Sequence, residues 1–316
     1  MGEYLDTWLP RLKAAERKTS LQAPPECELL SDEAGRKYQL IKKTCPDCGA
    51  ECESRIYYFP GYVYQTNRLG RCPDCREKQE RLLEADEKDR IRAENNELRE
   101  KWRYSCGIPR KFWHKGFEHY EQDWQPKAYA RCFEYANNIP ITNPQNYESL
   151  VLYSDHSWGT GKTHLAAAIA HHVLNRWNGE PRRCPVAFIS EPMLFKMIRD
   201  TYSYNRQERE TRMSEKQIID SLVNTPLLIL DDLGKEEVSD PRFVQRTLFA
   251  IFDGRYNLEL PVVITANLND SGLRRHMGGG SDNEAAFNRL NEMCRGTMVC
   301  MDGKSYREKI AQDMCK

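Results

Sequence analysis

The chain has 316 residues, 40% apolar and 30% charged, enough to bury one large core or two smaller ones. Lys plus Arg and Asp plus Glu both number 47, so bulk charge gives no argument for a nucleic-acid or membrane surface, and any basic binding face has to be local. No segment approaches the roughly 20 apolar residues that span a bilayer, and residues 1–18 lack the apolar core and cleavage site of a secretory signal; the expectation is a cytoplasmic protein with no membrane partner.

Residues 1–20 read as a short amphipathic helix, ended by Pro24-Pro25. Residues 38–75 alternate β-like runs (38–43 and 55–65) with two cysteine knuckles, Cys45-Pro46-Asp47-Cys48 and Cys72-Pro73-Asp74-Cys75. The spacing C-x2-C-x23-C-x2-C turns two thiolates of each knuckle onto one ion, and four complete a closed tetrahedral Zn²⁺ site. With no open position the zinc is structural, in a zinc-ribbon-like module too small to fold on core burial alone. Cys52 is an alternative for one ligand. The remaining cysteines of the 12 are scattered, which fits a reducing compartment. Tyr57, Tyr58, Phe59, Tyr62 and Tyr64, with Arg55, Arg68 and Arg71, form either the module's own small core or a surface for stacking on nucleic acid. Residues 76–103 hold nine basic and nine acidic side chains and few apolar ones, the pattern of a solvated helix. The organisation expected is therefore a zinc module at 1–75, a charged helical linker at 76–105 and a third region at 106–316.

Beyond Cys106 short apolar runs alternate with amphipathic stretches. Helices are expected at 126–138, 163–177, 191–202, 214–222, 241–256 and 283–293, and strands at 150–154, 185–190, 227–230, 262–265 and 297–301. That alternation argues for an α/β fold, a parallel sheet flanked by helices. Gly159-Thr160-Gly161-Lys162-Thr163 follows a strand and opens a helix, the context that a phosphate-binding loop requires. Small residues let backbone N–H groups close around phosphate oxygens, and the helix start adds its positive dipole end. Lys162 is placed to reach the β and γ phosphates of ATP and Thr163 to ligate Mg²⁺. His156 stands where the full loop pattern has glycine, which predicts an altered loop entry. The run 227–230 ends in Asp231 and Asp232: the first can hold the Mg²⁺ hydration shell, the second can orient or deprotonate the attacking water. The run 262–266 ends in Asn267, whose amide can bond the γ-phosphate or that water.

The segments GTGKTHLA (159–166), SEKQIIDSLVNTPLLILDDLGKEE (214–237), FDGRYNLELPVVITANL (252–268), FNRLNEMCRG (287–296) and DGKSYR (302–307) resemble the AAA+ family, and within it the bacterial helicase loaders of the DnaC/DnaI type and the related IstB transposition helper ATPases. The likeness covers residues 106–316, about two-thirds of the chain. It implies a P-loop AAA+ core with its helical lid reduced or absent, since only 15 residues follow the last expected strand. It also implies that Gly159, Thr160, Gly161, Lys162, Thr163 and His164 bind the nucleotide with Asp231, and that Asp232 and Asn267 act in hydrolysis. Arg289 matches the arginine finger that acts on a neighbouring subunit's ATP, with Arg295 a competing candidate, and Arg307 matches the second sensor. Three functions fit: a loader that delivers a replicative ring helicase to single-stranded DNA and assembles as a homo-oligomer, a transposition helper that coats duplex DNA and recruits a transposase, or a binding module with a decayed pocket. Lys196, Tyr202 and Tyr204 are candidate single-strand contacts. For the zinc module the resemblance favours docking to the helicase.

Overall fold

The computed structural model describes residues 29–309 except 60–61, 68–69, 156, 181, 235–239, 279–283, 297, 304 and 307. The helix expected at 1–20, His156 and Arg307 lie outside the described residues. Two compact units meet between Arg90 and Ile91. No helix among the described residues is long and apolar enough to cross a membrane.

The first unit holds a four-stranded antiparallel sheet in chain order: β1 (Leu30–Ser31), β2 (Lys37–Thr44), β3 (Glu51–Phe59) and β4 (Tyr62–Gln65). Along β3, buried Cys52, Ser54 and Ile56 alternate with exposed Glu51, Glu53 and Arg55, the two-residue period of a strand. Tyr38 opposes Tyr57 across β2 and β3, with ring centroids 5.4 Å apart. Arg55 lies 4.8 Å over the Tyr38 ring and Arg36 5.6 Å over Tyr57. Each guanidinium thus covers a ring that an open sheet face leaves to water.

The helix α1 (Pro73–Ser105) starts inside the second cysteine knuckle and runs past both ends of the charged stretch read from sequence. Its earlier turns carry exposed ion pairs, Arg81 with Glu77 and Arg90 with Glu87. Its final turns belong to the second unit's core. Trp102 is buried, edge-on to Trp177 at 4.6 Å, Asn95 donates to the Asn178 carbonyl at 3.3 Å, and Arg99 Nε donates to the Trp177 carbonyl at 3.0 Å.

The second unit contains α2 (Pro126–Asn138), β5 (Leu150–Tyr153), α3 (Lys162–Arg176), β6 (Val186–Ser190), α4 (Glu191–Thr201), α5 (Arg206–Thr211), α6 (Glu215–Asn224), β7 (Leu227–Leu233), α7 (Pro241–Asn257), β8 (Val262–Ala266), α8 (Asp270–His276), α9 (Ala285–Met293) and β9 (Met298–Cys300). The strands are parallel, in the order β6-β7-β8-β5-β9. Leu150, Leu152, Ile229 and Val263 pack with α2 and α3 on one face, while Val151, Leu228, Leu230 and Ile264 pack with α4, α6, α7 and α9 on the other. Burial on both faces explains why these strands read as unbroken apolar runs. The α/β expectation is met. Two short helices, α5 and α8, lie in stretches where neither helix nor strand is expected from sequence. The first carries a reciprocal cap between Asn205 and Glu208; the second is capped by Asn269, whose side chain accepts from Gly272 N at 2.9 Å.

Candidate nucleotide site and cysteine centre

The parallel sheet directs the C-terminal ends of β5, β7 and β8 to one edge, the usual location for a ligand in an open α/β sheet. The turn after β5 bends through Gly159 (φ 77°) and Gly161 (φ 99°), both left-handed, before α3 begins at Lys162. A Cβ on Gly161 would meet the Tyr120 hydroxyl at 2.7 Å, so this position needs glycine for space as well as for conformation. Lys162 is almost fully buried. Its Nζ donates to Ser154 Oγ at 2.5 Å, to the Ser157 carbonyl at 3.1 Å and to Thr160 Oγ1 at 3.1 Å. The ammonium is therefore held inside the turn.

Two hydroxyls converge on one carboxylate oxygen. Thr163 Oγ1 donates to Asp231 Oδ1 at 3.0 Å, and Thr265 Oγ1, from the adjacent strand β8, donates to the same oxygen at 2.6 Å. Asp231 is buried and Thr265 has no exposed surface. The β7–β8 register shifts between Leu230 and Leu233, and Asp232 takes φ 58° there, rare for a residue with a Cβ. Its backbone N–H donates to Thr265 Oγ1 at 2.9 Å, so Thr265 fixes both aspartates. Asn267 sits one residue beyond β8, half-buried. Nothing in the sequence marked Thr265 or Ser154; their roles arise from the pairing of β7 with β8 and from the curl of the loop.

His164, in the first turn of α3, has its Nε2 3.3 Å from the Gly116 carbonyl and its ring beside Phe112 and Tyr120. Burial holds its pKa below the ordinary histidine value. The Gly159 carbonyl accepts from the backbone N–H of Tyr306 at 3.0 Å, which ties Tyr306 to this turn. Arg289 lies on α9 and is engaged with α7: its Nη2 is 2.8 Å from Asp253 Oδ1 and its guanidinium 4.8 Å over Phe249. Arg295, in left-handed backbone, donates to the Asn146 carbonyl at 3.1 Å. Of the candidate strand contacts, Tyr202 donates to Glu215 at 2.9 Å and Tyr204 lies under Arg212 at 5.3 Å.

In the first unit the sulfur atoms of Cys45, Cys48, Cys72 and Cys75 all lie within 4.8 Å of one another, an arrangement that can hold a metal ion. The knuckle turns are closed by Gly49 N to the Cys45 carbonyl at 2.9 Å and Arg76 N to the Cys72 carbonyl at 3.0 Å. The Cys72 backbone amide pulls the Cys45 thiol down to about 6. The sulfur contact with Cys48 pushes Cys75 the other way. Such opposition arises when several thiolates share one small space. Cys52 donates to the Gly70 carbonyl at 2.7 Å and stands outside the group of four.

A family model described as IstB-like ATP binding protein matches residues 78–313. The chain belongs to that family. This IstB-like ATP-binding chain is 26% identical over 206 residues to the replicative helicase loader DnaC of Buchnera aphidicola subsp. Baizongia pistaciae, covering 65% of its own length and 74% of that protein. It is 26% identical over 152 residues to the replicative helicase loader DnaC of Escherichia coli K12, spanning 54% of that relative and 48% of itself. Solved structures of DnaI (22% identity, TM-score 0.45, covering 63% of this chain and 93% of that one) and of the DnaC helicase loader (19%, TM-score 0.45, 61% and 100%) are similar to it.

Proposed function

We propose that this IstB-like chain is an ATP-hydrolysing helicase loader of the cytoplasm that delivers a ring-shaped replicative helicase to single-stranded DNA. The observation that carries the nucleotide part is the convergence of Thr163 and Thr265 on Asp231 beside a loop-bound Lys162. Thr163 and Asp231 would hold Mg²⁺, which would supply charge neutralisation at the triphosphate of bound ATP. Lys162 reaches the phosphate oxygens from its seat among the loop oxygens. Asp232 orients the attacking water and accepts its proton, and Asn267 holds that water or the terminal phosphate by its amide. Arg289 acts on the ATP of a second copy of the chain, which requires it to leave Asp253 and Phe249. Arg307 acts as the second sensor. The loader reading draws on relatives named as replicative helicase loaders. Mixing the chain with candidate ring helicases and measuring complex mass with and without ATP tests it: a stable, nucleotide-sensitive complex is expected, and no complex with any of them ends the reading.

A second reading is a transposition helper on duplex DNA, which the IstB-like family description is compatible with. Filaments on duplex DNA together with transposase recruitment would select it.

The four-cysteine cluster holds Zn²⁺ as a structural ion, its donor set being four thiols with no open position. Elemental analysis is expected to give one zinc per chain. Cys72→Ser is expected to lose it and to render the first unit protease-sensitive, because such metal binding is folding free energy. A metal-free wild-type chain whose first unit resists proteolysis would count against a zinc site.

A further inference from the structure

Glu191 is the first residue of α4, directly after β6, and its side chain has no exposed surface. A glutamate is almost never buried that completely unless its charge is paired. Oε2 accepts from the backbone N–H of Gly234 at 2.7 Å, and Oε1 lies 2.5 Å from His276 Nε2. Among the described residues its hydrogen bonds go to these two partners and not to the amides of α4, so capping its own helix is not its task.

Both partners lead back to the candidate nucleotide site. Gly234 stands two residues past Asp232, and both are left-handed, at φ 81° and 58°. A residue with a Cβ keeps such backbone only where its surroundings over-determine it. Here the turn is pinned at two amides, that of Asp232 by Thr265 Oγ1 at 2.9 Å and that of Gly234 by Glu191. A Cβ on Gly234 would fall 2.1 Å from Leu268 Cδ1, so the same turn lies against the residue that follows Asn267. His276 is the last residue of α8, a helix whose N-cap, Asn269, also donates from Nδ2 to Asp155 Oδ1 at 3.1 Å, ahead of the glycine turn. Through one carboxylate, the turn behind Asp232 is fastened to a helix that is itself fastened beside the phosphate loop.

We propose that Glu191 is a positioning residue for ATP hydrolysis: by tying Gly234 to His276 it holds the Asp232 carboxylate where the attacking water is oriented. This rests on the reading of Asp232 as the group that acts on that water. Glu191 touches neither nucleotide nor water in this role. It acts by reach, its two methylenes setting how far the turn behind Asp232 stands from α4 and α8.

The test uses the full chain and compares turnover with nucleotide affinity. Glu191→Ala is expected to lower kcat about 10- to 100-fold, the cost of moving a reacting group by about 1 Å. Affinity for a fluorescent non-hydrolysable ATP analogue stays within about twofold of wild type, because the loss falls on the chemical step. Glu191→Gln keeps an oxygen for the Gly234 N–H and an amide beside His276, and is expected to recover kcat to within about threefold of wild type. Glu191→Asp, one methylene short of Gly234, follows alanine and carries the test if the alanine variant does not fold. In an Asp232→Asn background the Glu191 change is expected to add less than about twofold, since a residue acting through Asp232 has nothing further to remove. A merely structural role would lower turnover equally in both backgrounds. The proposal is overturned by wild-type kcat in Glu191→Ala and Glu191→Asp, by a parallel loss of nucleotide affinity, by no recovery in Glu191→Gln, or by the full loss repeated in the Asp232→Asn background. Wild-type turnover in Asp232→Asn alone would end the reading of Asp232 and the proposal with it, a signature distinct from the other four.

Discussion

Lys162→Ala is expected to lower ATP turnover by about 10²–10³-fold, measured as phosphate release at saturating ATP. The magnitude follows from how the ammonium is held. It is 6% exposed and fixed by three oxygens of the loop, Ser154 Oγ, the Ser157 carbonyl and Thr160 Oγ1, all within 3.1 Å. A charge already oriented in a water-poor site stabilises charge that develops during transfer without reorganising at that moment. Alanine leaves the three oxygens facing one another, so nucleotide affinity also falls. Arginine does not substitute, because a planar fork does not match a site built around a compact ammonium. The overall fold is expected to persist, since Ser154 Oγ keeps its bond to the Ser157 carbonyl at 2.6 Å. Wild-type turnover and affinity in Lys162→Ala would place the working site elsewhere.

What was legible in the sequence was local. The strands β5, β7 and β8 are apolar runs because both faces of their sheet are covered, and the apolar part of each is followed by a residue or turn whose chemistry is distinctive on its own: the glycine turn, Asp231, Asn267. The two cysteine knuckles were legible for the same reason, since each pair is set by four consecutive residues. Roles created by register were not legible. Thr265 reads as one more β-branched residue, and only the pairing of β8 with a bulged β7 sets its hydroxyl between two aspartates. Trp102 is one of the few apolar residues in a charged helix. Its partner, Trp177, lies at the end of α3, far away in sequence. The small helices α5 and α8 did have signals, Asn205 with Glu208 and Asn269, but the polar composition around them outweighed the caps.

Arg255 sets the second large effect. It lies in the segment FDGRYNLELPVV, conspicuous in the sequence yet with no role assignable there. The side chain is fully buried with no carboxylate among its partners. Its Nη1 donates to the carbonyls of Leu222 (2.6 Å), Val223 (3.2 Å) and Thr225 (2.8 Å), and its Nη2 to those of Pro226 (3.1 Å) and Pro261. Leu222 and Val223 lie in the last turn of α6, whose carbonyls lack intrahelical partners; Pro226 and Pro261 immediately precede β7 and β8. One guanidinium therefore caps a helix and ties together the starts of the two strands that carry Asp231 and Asn267. Burial draws its pKa down to about 9, still high enough to keep it charged at neutral pH. Arg255→Leu leaves five carbonyls without this donor, and an unfolding free-energy loss of about 3–5 kcal/mol is expected. Arg255→Lys recovers little, because three tetrahedral donors cannot span acceptors spread over both strands. Urea unfolding followed by far-ultraviolet circular dichroism reads the difference: a clear drop in midpoint at unchanged slope in both variants. A wild-type midpoint for Arg255→Leu would mean that the strand ends hold without the clamp.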